Sequence, residues 1–244
     1  CRQGRALDPL LYCHLPAPED ENSRRWSPGR AAERIREFVV REIGGRLRID
    51  EVEVVPLPAP VLAGYNGRHR RIAVSSRAAL DAQGTLALVG HECVHALFDQ
   101  EILTLPGREV VHRRVAEATA AVLGAMLAGR VWSRRGGDGD ELTRTVIEEY
   151  RAYCDPRSPT GSRQRIERGI AFWGAEAFEP EWLDEEAAHF PDLADVDRVI
   201  GICRAHRDPR VAARAVHRSF FGEYSDNDLL SLRLFGTTLP RSPA

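Results

Sequence analysis

Apolar positions recur at helical spacing from Ser27-Pro28 onward. Ala32, Ile35, Phe38, Val39 and Ile43 fall on one face, Pro28 suits the first helical position, and Gly44-Gly45 closes the run. The period then changes. Val52, Val54 and Val55 read as a strand ending at Pro56. Val61–Tyr65 and His69–Ser75 flank Asn66-Gly67, a hairpin signal that predicts a small antiparallel sheet. From Gln83-Gly84-Thr85, with Thr85 as N-cap, an apolar helix is expected through Leu86, Val89, Cys93, Val94 and Leu97. Gly90 inside it costs about 1 kcal/mol relative to Ala, which calls for a packing reason.

A further helix is predicted over about 108–127, and Arg134–Asp140 reads as a linker or mobile loop. Everything after it is helical in pattern: about 140–153, 162–174, 181–189, 193–205, 209–220 and 226–235, the last with Ser225 as N-cap. Residues 1–27 show little periodicity, and Leu10, Leu11 and Tyr12 are expected to dock on the core. The organisation expected is therefore an irregular lead-in (1–27), a core (28–133) and a helical C-terminal region (140–244) serving as an extension or lid. The fold class is α+β, mostly helical.

Composition narrows the function. The chain has 244 residues, is 43% hydrophobic, and holds no run of 18 apolar residues, so no membrane span is expected. A net charge of −2 argues against a general nucleic-acid binder. All 34 basic residues are arginine, as a GC-rich bacterial genome would give, and lysine chemistry such as a Schiff base is ruled out. Cys1, Cys13, Cys93, Cys154 and Cys203 are odd in number and widely spaced, which fits a reducing, cytoplasmic compartment. No Gly-rich phosphate loop and no GxSxG is present.

The chemistry is concentrated in His91-Glu92-Cys93-Val94-His95. On a helix, His91 and His95 share one face one turn apart and can present two imidazoles to one ion. Glu92 lies beside them, placed to act as general base on a water held by that ion. Cys93 points away, toward the core. A catalytic zinc takes three protein ligands and leaves one position open, so a third ligand is required. No HExxHxxGxxH extension exists, because Phe98 stands where its glycine would be. Glu109, His112 and Glu117 on the following helix are the candidates. Glu117 is preferred because it sits mid-helix among Ala116, Ala118, Ala120 and Ala121, where a bound cation would offset the cost of a buried carboxylate. Asp99 could orient a histidine. Tyr65, His112, Tyr150, Tyr153 and Tyr224 are candidate donors to an oxyanion.

The block Ala87–Leu97, the preceding Arg71–Ser75 strand and the Glu117-Ala118…Val122-Leu123 helix resemble the ImmA/IrrE-type zinc metallopeptidases over about residues 28–130. Cys93-Val94 departs from the aliphatic-Gly pair expected before the second histidine. The resemblance implies a zincin-like core, Zn²⁺ on His91, His95 and Glu117, and Glu92 as base. The function expected is hydrolysis of a peptide bond in a protein or precursor-peptide substrate, with the strand at Ile72–Ser75 pairing with an extended substrate. Two other classes stay open: a non-peptidase metalloenzyme acting on a small molecule, and an idle zincin-fold binding module.

Overall fold

The structure, a computed structural model, describes residues 28–57, 61–78, 82–102, 109–155, 157–158 and 192–222. The expected lead-in, the helices at 162–174, 181–189 and 226–235, and the cap at Ser225 lie outside the described residues.

Helix α1 (Pro28–Ile43) buries the stripe expected of it: Ala32, Ile35, Val39 and Ile43 are all in the core. Gly44 and Gly45 follow at φ 71° and 73°, and the Gly44 N–H returns to the Val40 carbonyl at 2.9 Å, so the helix ends in the left-handed turn that glycine adopts without steric cost.

Three strands follow: β1 (Glu51–Val55), β2 (Ala63–Asn66) and β3 (Arg71–Ser75). The sheet is mixed, not antiparallel as expected. Its order is β1-β3-β2, with β3 antiparallel to β2 and parallel to β1, Val52 facing Ile72. The number of residues between β1 and β2 allows this. Two strand spacings are about 10 Å, which the stretch from Pro56 to Leu62 easily covers, so β3 can return between its predecessors. The hairpin is present, but its loop has four residues, with Asn66 at its start. Asn66 Oδ1 accepts the His69 N–H at 3.2 Å, and Arg70 takes a positive φ of 49°.

Helix α2 (Ala82–Glu101) starts four residues earlier than expected and is buried continuously from Gln83 to Val94. Gln83, Gly84 and Thr85 are helical interior, not a break. The helix is apolar all round because α1, the sheet and the next helix each cover a side of it. That next helix, α3 (Glu109–Ser133), runs six residues past its predicted end, since Ala128, Val131 and Trp132 continue its buried face. By length and composition its Arg114–Ser133 stretch could cross a membrane, yet 83% of that window is buried inside the protein.

Residues 134–140 form a tight connection instead of an open linker. Backbone N–H groups of Arg135, Gly136 and Gly137 bond the carbonyls of Trp132, Ser133 and Trp132, and Asp138 caps α4 (Gly139–Cys154) through the Glu141 N–H at 2.9 Å. Helices α4, α5 (Leu193–Ala205) and α6 (Pro209–Phe221) all pack on α3 and bury Leu142, Val146, Val199, Cys203, Ala212 and Val216 in the same core as α1 and α2. Glu101, at the end of α2, is gripped by Arg210 and Arg214 of α6.

Candidate metal centre

Helices α2 and α3 cross at Gly90 and Gly124. A methyl on Gly90 would lie 2.8 Å from the Gly124 carbonyl oxygen, and one on Gly124 would lie 2.8 Å from His91 Cα. This supplies the packing reason for Gly90: the two backbones touch, with no side chain between them. The small residues flanking Glu117 extend the same close approach, Ala118, Ala120 and Ala121 being buried.

The crossing brings the expected ligands together. His91 Nε2 and His95 Nε2 are 2.9 Å apart, their rings inclined at 71°. Glu117 Oε2 lies 3.6 Å from His91 Nε2, and its Oε1 lies 3.6 Å from His95 Nε2. The three side chains each offer one ligand atom, all within 4.8 Å of one another, so the group is able to hold a metal ion. The fit is good. Ligand atoms about 2 Å from a tetrahedral zinc are about 3.3 Å apart, and the observed separations straddle that value. The two imidazole nitrogens are within hydrogen-bond distance of each other, and the Glu117 carboxylate faces both at 3.6 Å, so the three groups converge on one point. His91 Nδ1 is buried with no hydrogen-bond partner, which leaves Nε2 as the ring's one polar outlet. Burial pushes the Glu117 carboxyl up, but the neighbouring His95 and His91 outweigh it and hold the group well below the usual carboxylate range.

Glu92 is buried beside this group, at 7% exposure. Burial raises its carboxyl above the ordinary value; the Glu117 charge adds to this, while His91, His95 and the Tyr65 backbone N–H oppose it. A buried carboxyl drawn toward neutrality next to a metal-binding group has the character of a general base. The Tyr65 backbone contact was not foreseen. Its sequence signal was indirect: the hairpin puts β2 at the sheet edge, against α2.

The remaining candidates separate. His112 stands in an aromatic cluster, 5.7 Å from Phe98, 5.5 Å from His217 and 6.0 Å from Phe221, and is not in the metal-binding group. Glu109 opens α3, and its side chain lies outside the described residues. Asp99 lies 3.4 Å from the Tyr65 hydroxyl, which also accepts from Gln100 at 3.0 Å. Tyr150 and Tyr153 are buried on α4. Burial, then Cys154 and the Glu117 charge, push the Tyr150 hydroxyl well up. Tyr224 lies outside the described residues. Cys93 is in the core, as expected, its thiol pushed up by burial.

No protein-family model, curated protein or solved structure matches this chain. The functional argument rests on the residues and their geometry.

Proposed function

We propose that the chain is a zinc-dependent metallopeptidase of the ImmA/IrrE kind, cleaving a peptide bond in a protein or precursor peptide. The observation that carries this reading is the convergence of His91, His95 and Glu117 within 4.8 Å, with buried Glu92 adjacent. Two imidazole nitrogens and one carboxylate form the donor set of a catalytic zinc, with a position left for water. When bound, zinc supplies a Lewis acid that polarises a carbonyl and brings the pKa of water near neutrality.

The protein's own groups complete the chemistry. Glu92 takes the proton of the attacking water on its carboxylate and delivers it to the departing peptide nitrogen. The Tyr65 backbone N–H faces that carboxylate and favours its charged form. Substrate alignment falls to β2. The expectation had been the strand at Ile72–Ser75, but β3 is central and has β1 on one side and β2 on the other. The Ser75 N–H bonds the Leu62 carbonyl, so by strand alternation Ala63 and Tyr65 direct their backbone groups away from β3. An extended peptide laid on that edge meets Glu92 directly. The buried thiols of Cys93, Cys154 and Cys203, none of them in a disulfide, are compatible with the cytoplasmic setting proposed here.

The test is cleavage of denatured protein substrates, with products mapped by mass spectrometry. Cleavage should stop with a chelator, return with zinc, and be absent in Glu92→Gln while the metal is retained. Unimpaired cleavage by Glu92→Gln would contradict the mechanism. Bound iron without peptidase activity would favour the small-molecule metalloenzyme.

A further inference from the structure

Two loops bring a set of cations together at one end of the sheet. Arg46 and Arg48 are exposed on the segment leading into β1, where Leu47 and Ile49 point inward. Arg68 and Arg70 are exposed in the β2–β3 turn. The Asp50 N–H bonds the Arg70 carbonyl at 2.8 Å, which ties the loops to each other. Gln100 fixes them to α2: it accepts from the Arg48 N–H at 2.9 Å, donates to the Arg48 carbonyl at 2.7 Å, and donates to the Tyr65 hydroxyl at 3.0 Å.

The platform is therefore held by its own backbone and by the Gln100 side chain, while the four guanidinium groups take no partner among the described residues. Arg71 differs, being paired with Glu51 at 2.9 Å. Of the carboxylates nearby, Glu51 is taken by Arg71 and Glu101 by Arg210 and Arg214, which leaves Asp50 and Asp99, so cations prevail locally in a chain whose net charge is −2. Arg70 holds a left-handed backbone (φ 49°) that costs a non-glycine residue about 1 kcal/mol or more.

The patch continues the strand that serves the metal centre. β2 carries Tyr65, whose N–H meets Glu92, and runs directly into the Arg68–Arg70 turn. At about 3.3 Å per residue, an extended chain with its reacting bond at Glu92 reaches that turn in about three to five residues. We infer that this arginine patch is an accessory binding surface for an acidic stretch of the protein substrate, three to five residues to one side of the cleaved bond. This rests on the peptidase reading for the chain's direction and spacing, not for the binding itself.

The experiment uses the full chain as Glu92→Gln, so that binding is read without turnover. Fluorescence anisotropy follows a dodecapeptide carrying four glutamates at one end, and its glutamine counterpart. The acidic peptide should bind about tenfold tighter, and the difference should shrink at high salt. Reversing Arg68→Glu with Arg70→Glu, or Arg46→Glu with Arg48→Glu, should abolish the preference. Reversing Arg204→Glu with Arg207→Glu, both exposed at the end of α5 and just after it and outside the two loops, changes net charge equally and should leave it intact. Equal binding of the two peptides would overturn the inference. So would an equal loss in the Arg204/Arg207 variant, or displacement of the peptide by an oligonucleotide of comparable affinity. Charge-selective binding without cleavage by the wild-type chain would sink the peptidase reading and leave the patch standing; cleavage indifferent to the flank would do the reverse.

Discussion

Replacing Gly124 with alanine sets two effects of known size against each other. A methyl at this position would sit 2.8 Å from His91 Cα and N and 3.0 Å from Gly90 C, about 0.6 Å inside the 3.4 Å at which ordinary contact begins. All three atoms are backbone, so no rotamer change relieves the clash. In favour of the substitution, alanine stabilises a helix interior by about 1 kcal/mol relative to glycine. Against it, overpacking a tight core costs about 1–3 kcal/mol. The expected balance is a net loss of about 1 kcal/mol, or a Tm lower by about 2–4 °C in a protein of this size. The metal group should feel the same displacement. Helix α3 carries Glu117 and α2 carries His91, 3.6 Å apart. Metal–ligand distances tolerate only about ±0.2 Å, so spreading the helices by about 0.6 Å should weaken zinc binding about tenfold or more. Calorimetry with and without zinc, and competition against a chromogenic chelator, read the two effects. Gly201→Ala in α5 is the control, because nothing lies within 4 Å of the added methyl and only the propensity gain applies. Should Gly124→Ala gain stability as the control does and keep full zinc affinity, the close crossing of α2 and α3 would not be what positions the site.

Two further outcomes follow from the fold. Cys93 and Cys203 are buried, and burial pushes both thiols up, Cys203 to about 12, so neither should be alkylated at neutral pH until the chain is unfolded, as peptide mapping would show. Asp138→Ala removes the carboxylate that accepts the Glu141 N–H at the start of α4 and should lower stability by about 1 kcal/mol, measured by urea unfolding.

What could be seen in the sequence was what is local. His91 and His95 are one turn apart, so their shared face follows from helix geometry alone. Glu117 was readable because a charge among alanines implies a close neighbour with which it must be reconciled. The limits of α1, α5 and α6 followed from amphipathic spacing, glycine and proline. Long-range pairing left no such trace. Nothing in Val52–Val55 or Arg71–Ser75 states that they lie side by side and parallel, so the sheet was misjudged and substrate alignment was assigned to a strand with no open edge. The start of α2 was misplaced for a related reason: tertiary burial on every side makes Gln83-Gly84-Thr85 helical where local propensity favours a break. The partnership between Glu92 and the Tyr65 backbone also needed the folded sheet.

Metal content per chain tests the central claim most directly. Elemental analysis of the purified wild type should find about one zinc, retained in Glu92→Gln and lost in His91→Ala, His95→Ala and Glu117→Ala, while His112→Ala keeps it. A wild-type chain that takes up no divalent metal, or a Glu117→Ala variant that holds zinc as tightly as the wild type, would contradict the account.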